Sequence, residues 1–446
     1  MLKVANSLGV VFFPAFDWAI SPTHPERQER LLYTMDQLQE EGVFDIPGIA
    51  EYKPDIASLE DVERVHFAFP RTEDVLTDSH LISAGGAIRA GQMVLDKERD
   101  KSFALVRPPG HHAMKSVHGG RGFCNVNMEA IMIERLRRQY GVNRVAVVDT
   151  DCHHGDGTQD IYWHDPETLF ISLHQDGRTI FPGSGFPGEI GGPKAAGRNL
   201  NVPLPPGTSD AGFLLLMDEL VLPVLRDFQP ELIVHSAGQD NHFSDPITSM
   251  NLSAQGYARL SQKLQADIAV LEGGYAIEGA LPYVNTGIIL SMAGLDFSHV
   301  REPALRPESV AQDAKITEYL KQLAPAVRDL YFHPPEKLID REKEGDFFVR
   351  DKEIFYDTDG LMEQQREFVL DCPHCPGLYK VQTSSTKTPF CLGIELGRQC
   401  CDSCARRAEE EFARAQKSLR YAVIQYIDRI QDFSQRVVGD AMDKEM

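Results

Sequence analysis

At 446 residues with 42% hydrophobic content, the chain is long enough for one large or two to three ordinary domains with deep cores. Its 45 Lys and Arg against 66 Asp and Glu give a net charge of −21, which argues against direct binding to nucleic acid or to anionic membranes and tolerates a basic partner such as a lysine-rich protein, although acidity alone usually means only solubility. The longest apolar runs stop far short of the ~20 residues a membrane helix needs, so a cytoplasmic, non-membrane protein is expected.

The opening "MLKVANSLGVVFFPAFDWAI" has the apolarity of a secretory leader. Pro14 and Asp17 interrupt it, however, and no small-residue cleavage site follows, so a buried first strand is predicted. Between about 100 and 295, the runs "FALV", "VAVVD", "LFISL", "LIVHSAG" and "IAVLEGG" alternate with helical patterns such as "MEAIMIERLRRQY" and "AGFLLLMDELVLPVLRDF". This alternation predicts an α/β fold with an open, mostly parallel sheet and helices on both faces. Residues 1–300 are read as one catalytic domain.

Beyond 300 the text becomes proline-punctuated and charge-rich, and 301–365 is read as a connector outside the sheet, with a small hairpin in "DFFVRDKEIFYDTDG". Residues 366–446 form a separate unit. Leu419, Val423, Tyr426, Ile427, Ile430 and Phe433 recur there at helical spacing, which predicts a C-terminal amphipathic helix.

Six of the eight cysteines lie between 372 and 404. Cys372 and Cys375 form one CxxC, Cys401 and Cys404 another, a spacing close to that of zinc ribbons and suited to a closed structural zinc site. Free or redox thiols are the alternative, and Cys391, Cys400 and His374 are competing ligands.

Each predicted strand ends in polar or glycine-rich text, and in an open parallel sheet ligands bind at those carboxyl ends. Asp151 and His153, two apart after "VAVV", point the same way and can share a cation; Asp149 lies on the same face. Asp240 in "SAGQD" is the best-placed third ligand. One histidine with two carboxylates leaves an open coordination position, the form of a catalytic zinc site. His111 and His112 in "RPPGHHA" are candidates for proton transfer, with Asp149 and Asp156 as the surplus carboxylates that fix their tautomers. Tyr275, after Gly273 and Gly274, is a candidate oxyanion stabiliser. Taken singly, each of these residues fits a helix cap or a packed loop; as a set they do not.

The ordered segments "RPPGHHA", "GFCNVN", "DTDCHHGDGTQ", "SLHQDGRTIFPGSG", "SAGQDNHFSDP" and "LEGGY", with "HPERQER" before them, resemble the zinc-dependent histone deacetylase superfamily, nearest its class II and bacterial members. The resemblance spans about 24 to 295. It implies an arginase/deacetylase fold, catalytic zinc on Asp151, His153 and Asp240, His112 as general base and acid, and His111 as its electrostatic partner. It pairs His111 with Asp149 and His112 with Asp156, gives Tyr275 the acyl carbonyl, and places Gly122, Phe123 and Phe181 along an acyl-lysine tunnel. A potassium ion is implied at Asp149, Asp151, His153, Ser172 and Leu173.

Two positions depart from the family pattern. His242 stands where a small or aliphatic residue is usual, and with Gly155 in place of an acid a second catalytic metal is not expected. Ile247 replaces the acidic residue of the polyamine-specific branch, which favours acyl-lysine in proteins or peptides. The rivals are an acetylpolyamine amidohydrolase and a catalytically silent acyl-lysine-binding protein, against which Tyr275 argues. A homo-oligomer built through the C-terminal unit is a further expectation.

Overall fold

The computed structural model describes residues 3–70, 72–339 and 341–439. In it the aliphatic runs become strands covered on both faces, which is why they read as continuous apolar text rather than as alternation. In chain order these are β1 (Leu8–Phe13), β2 (Ile49–Tyr52), β3 (Phe67–Ala68), β4 (Lys101–Val106), β5 (Ser116–Val117), β6 (Val145–Asp149), β7 (Thr168–Gln175), β8 (Asn199–Leu204), β9 (Leu232–Ser236) and β10 (Ile268–Val270). Eight of them form one sheet in the order β2-β1-β4-β10-β9-β6-β7-β8. Every pairing in it is parallel. β3 and β5 form a separate two-stranded parallel ribbon.

Helices Asp78–Leu95 and Met128–Tyr140 cover one face, where Ala84, Ile131 and Leu136 pack with Val106, Val147 and Val234. The second of these helices starts where the Asn127 side chain accepts the Ala130 N–H, and it ends at Gly141 with φ of 73°, a left-handed C-cap that glycine adopts without strain. The opposite face is covered by helices Ala254–Leu264 and Leu281–Met292 and by the helical stretch from Asp210 to Phe228, all packed into one core with Leu105, Val148, Ile171 and Leu173. Among the described residues, no helix is long and apolar enough to cross a membrane.

The C-terminal region differs from the sequence reading in three respects. First, a seven-stranded sheet occupies it: β11 (Lys343–Glu344), β12 (Phe347–Tyr356), β13 (Leu361–Leu370), β14 (Tyr379–Ser385), β15 (Cys391–Leu396), β16 (Val423–Asp428) and β17 (Phe433–Val438), paired in sequence order. Second, β13 runs unbroken through 365/366, so the expected edge between connector and ribbon-like unit falls inside a strand, and the "connector" hairpin β12–β13 belongs to this sheet. Helix Ala314–Phe332, also in the supposed connector, packs Leu320, Ala324 and Val327 into the core of the first sheet.

Third, the expected C-terminal helix stops at Gln416. Val423, Tyr426 and Ile427 belong to β16, which pairs parallel with β15 and antiparallel with β17. All six β16 residues are buried, so the strand lacks the in–out alternation that would have marked it, and its apolar positions matched a helical period by chance. Leu419, read as part of the helix face, is 98% exposed.

The β3–β5 ribbon and the residues flanking it share apolar cores with the C-terminal sheet. Phe67 and Phe69 pack with Val369, Tyr379, Val381, Val423 and Ile427, and Met114 packs with Ile354, Tyr356 and Leu361. Buried ion pairs accompany them: Glu134 with Arg137 at 2.7 Å and Arg429 at 2.9 Å, and Lys115 with Glu395 at 2.9 Å.

Candidate active site

The four central strands β4, β10, β9 and β6 are neighbours; the segments after the first three carry His111 and His112, Tyr275, and Asp240, and the end of β6 with the segment after it carries Asp149 to Asp156. Parallel pairing places all four carboxyl ends at one edge, so residues far apart in sequence meet in one crevice. The register sets Asp149 between Ser236 and Ser172.

Ligand atoms of Asp151, His153 and Asp240 lie within 4.8 Å of one another. His153 Nδ1 is 3.2 Å from Asp151 Oδ1 and 2.9 Å from Asp240 Oδ2. Backbone donors fix both carboxylates: Asp151 accepts N–H groups from Gly273 at 2.7 Å and His153 at 2.8 Å, and Asp240 accepts one from Cys152 at 2.7 Å. Both aspartates are fully buried, while the His153 side chain keeps 12% exposure. Two buried carboxylates facing one another repel unless a cation or a proton lies between them, and burial together with Asp151 pushes the Asp240 carboxyl above its usual range. Burial works against charge on the His153 ring, but Asp240 and Asp151 outweigh it and raise the ring to about 10. The donor set, one imidazole and two carboxylates, fits zinc with an open position.

The two histidines have the predicted partners. His111 Nδ1 is 3.0 Å from Asp149 Oδ2, and His112 Nδ1 is 2.7 Å from Asp156 Oδ1. Their rings lie 4.1 Å apart, and the environments separate them. Burial opposes charge on both, but Asp151 and Asp149 raise His111 well above its ordinary range, whereas burial and the neighbouring His111 lower His112 to about 3. His112 is therefore a neutral ring with Nδ1–H on Asp156 and Nε2 free to accept a proton.

The backbone N–H of Tyr275 donates to Asp245 Oδ2 at 2.8 Å, and Asp245 Oδ1 accepts from Ile247 at 3.0 Å. Ile247 and Tyr275 are thus tied to one carboxyl group. Burial pushes the Tyr275 phenol well above its usual range, which keeps it a hydroxyl donor. The Phe123 ring meets Tyr275 edge-on at 5.6 Å, and the Phe181 ring meets His112 at 5.1 Å. Gly122 lies against His112 with φ of +52°, and a Cβ there would sit 2.4 Å from His112 Cδ2. His242 contacts Ser244 at 2.9 Å and Glu302 at 3.2 Å rather than the metal group. Cys152 is packed in the core.

The family model described as Histone deacetylase domain matches residues 70–288. A probable deacetylase of Archaeoglobus fulgidus is 49% identical over 310 residues, covering 64% of this chain and 85% of that protein. The chain belongs to the histone deacetylase family. A histone deacetylase-like amidohydrolase of Pseudomonas aeruginosa is 39% identical over 233 residues, 50% of this chain and 60% of that protein. The crystal structure of the HDA15 HD domain superposes with a TM-score of 0.60 at 25% identity, covering 73% of this chain and 97% of that one. The protein is accordingly a deacetylase-family amide hydrolase.

Several residues that shape this deacetylase site carry no assigned role in the sequence reading. Glu26 and Arg30 of "HPERQER" are fully buried: Arg30 pairs with Glu26 at 2.8 Å, donates to Gly274 O at 2.8 Å and also donates to Glu272 O. Its guanidinium lies 4.9 Å from the Tyr275 ring, so it holds the glycine turn and the phenol together. Glu272 accepts the N–H groups of Gly110 at 2.7 Å and His111 at 3.1 Å, fixing the backbone that carries the histidine pair. Arg121 contacts Asp156 at 2.6 Å. The available signal was a charged residue within a segment already singled out, or directly before one in the case of Arg121.

In the C-terminal sheet unit, Cys372, Cys375, Cys401 and Cys404 form the second metal-competent group among the described residues. Cys372 and Cys375 each lie 3.7 Å from Cys401, and Cys375 lies 3.4 Å from Cys404. Cys400 instead donates to Gly377 O at 3.2 Å, Cys391 donates to Pro389 O at 3.1 Å, and His374 contributes its backbone N–H to Cys372 Sγ at 3.5 Å.

Proposed function

We propose that this deacetylase removes acetyl or another short acyl group from lysine side chains of proteins or peptides. The observation that carries the proposal is the convergence of Asp151, His153 and Asp240 with the His112–Asp156 pair and Tyr275 at one strand edge. Zinc held by Asp151, His153 and Asp240 supplies Lewis acidity when bound. His112 takes a proton from the attacking water at Nε2, and Asp156 holds the Nδ1–H that makes this the correct tautomer. The same Nε2–H then protonates the departing lysine amine. His111, paired with Asp149, supplies positive charge beside His112, and the Tyr275 hydroxyl donates to the acyl oxygen as charge develops there.

Gly122, Phe123 and Phe181 provide an apolar slot for the methylene stem. Ile247, beside Tyr275 through Asp245, leaves a second ammonium unpaired, which supports acyl-lysine over acetylpolyamine. The cysteine group supports a second, structural zinc. The Asp149–Ser172 register, with Leu173 following, supports potassium behind the catalytic metal. We divide the chain into a catalytic α/β unit and a C-terminal sheet unit beginning near 343. Acyl-lysine peptides of graded chain length and acetylspermidine, each assayed with and without chelator, test the reading. Chelator-sensitive turnover of acetyl-lysine peptides is expected; preference for the polyamine, or Asp240→Ala retaining activity, would overturn it.

A further inference from the structure

The family match ends at residue 288, yet the turn between β12 and β13 rests on the loop that carries Gly122 and Phe123 of the site. Asp359 Oδ2 accepts the Gly120 N–H at 2.6 Å, and Asp357 Oδ1 accepts the Gly122 N–H at 2.8 Å. Between them Arg121 donates to the backbone carbonyl of Phe355 in β12. The same guanidinium binds Asp156 Oδ2 through Nε at 3.0 Å and NH2 at 2.6 Å. Asp156 is the carboxylate that holds His112.

A second grip falls on the helix that begins with Asp156. Helix Asp156–Tyr162 carries Asp160, whose carboxylate is bound by Lys352 of β12, and Lys352 is itself 2.9 Å from Glu367 of β13. The β12–β13 hairpin therefore holds both the loop against the His112 ring and the helix that supplies its carboxylate partner.

We infer that the C-terminal sheet is part of the catalytic apparatus, with Asp357, Asp359 and Arg121 as positioning residues for the His112–Asp156 pair. The inference rests on the deacylase reading. The loop cannot hold this shape unaided at low cost, because Phe123, next to Gly122, has a positive φ of +69°, a region that a non-glycine residue rarely adopts. It is also in contact with what it positions: Gly122 abuts His112 and Phe181, where an added Cβ would lie at 2.4 and 2.8 Å. Two carboxylate–amide bonds from the turn and one guanidinium–carbonyl bond to β12, all from one hairpin, offset that cost. Arg121 is 7% exposed and Asp156 5% exposed, so their pairing acts where water screens weakly. Burial opposes charge on Asp156, and Arg121 is the strongest of the influences that keep it ionised despite this.

The test uses the full-length, zinc-loaded protein with three variants: Asp357→Ala/Asp359→Ala, Asp357→Asn/Asp359→Asn, and Thr358→Ala as a same-turn control that removes no acceptor. For each, kcat and KM on an acetyl-lysine peptide are measured per zinc-loaded folded site, together with amide exchange across 118–124. The alanine pair should lower kcat between about 10- and 100-fold with KM within about threefold, since a misplacement on the order of 1 Å has that effect on chemistry. Exchange at Gly120 and Gly122 should accelerate, and the asparagine pair, which keeps the acceptor oxygens, should recover most of the rate. A kcat per site within about twofold of wild type, or a loss that asparagine does not restore, overturns the inference. Wild-type protein inactive on acetyl-lysine peptides would sink the deacylase reading instead, and unchanged exchange at both glycines in the alanine pair would then overturn the positioning role independently.

Discussion

Replacing Cys372 and Cys375 with serine should remove one of two zinc ions and loosen the C-terminal sheet. Zinc–sulfur bonds of about 2.3 Å in a tetrahedron give sulfur–sulfur edges of about 3.8 Å. Three of the separations, 3.4 to 3.7 Å, are already close to that, and all four sulfurs lie within 4.8 Å of one another, so metal enters with shifts of about an ångström or less. Cys401 stands at the N-cap of helix Asp402–Gln416. The Ser403 hydroxyl first, and then the Cys404 backbone N–H, lower its thiol to about 6, which makes it a thiolate ready for metal. Cys372 and Cys404 lie in one core with Phe347, Ile394 and Phe412. Closed zinc sites of this kind contribute on the order of 10 kcal/mol to the folded state, comparable to the whole stability of an ordinary domain. The serine variant should therefore carry one zinc and exchange amides freely across β12 to β16. Its kcat should fall as the hairpin releases the active-site loop. Metal analysis and hydrogen exchange on reduced, intact protein provide the assay. One zinc per chain in the wild type would refute the reasoning.

Tyr275→Phe should lower kcat by about 10²-fold or more while zinc content and substrate affinity hold, because the lost hydroxyl acts mainly as charge develops; an unchanged kcat removes the phenol from the mechanism. Ile247→Glu should shift kcat/KM toward acetylspermidine relative to an acetyl-lysine peptide, and an unshifted ratio would show that this position does not read the second ammonium. Burial lowers His66 and His235 to about 4 and His80 and His174 to about 3. These rings stay neutral in the folded chain while the unfolded chain takes up protons near pH 6.5, so stability is lost as pH falls below about 6.5. The slope approaches about 1.4 kcal/mol per pH unit for each histidine. Unfolding midpoints measured from pH 7 to 5 should decline, and a flat profile would show that these rings do not contribute.

The family resemblance supplied the pairing of the two histidines with Asp149 and Asp156, and the strands of the first sheet other than β2 and β8, the metal-competent triad and the four zinc-spaced cysteines were legible in the sequence itself. Their signals are local: apolar runs ending in polar text, ligands two residues apart, and paired CxxC motifs. Short strand-end segments carry most of the chemistry, and parallel pairing leaves little freedom in where those ends go. The C-terminal architecture was not legible. β16 acquires its conformation from β15 and β17, and its full burial erased the alternation that identifies a strand. The same applies to the second tier of the site. Glu26, Arg30 and Glu272 are recognisable as charged residues in motif text, and Arg121 stands directly before one, but their partners lie as far as 244 positions away, and nothing in "DTDG" announces that its two aspartates hold Gly120 and Gly122. Sequence determined which groups could do the chemistry, because ligand and proton-transfer capacity belong to side-chain type. Tertiary structure decided which carboxylate meets which donor, because a buried hydrogen bond needs both partners within about 3 Å, and only the parallel pairing of distant strands and the docking of the C-terminal hairpin bring such residues that close.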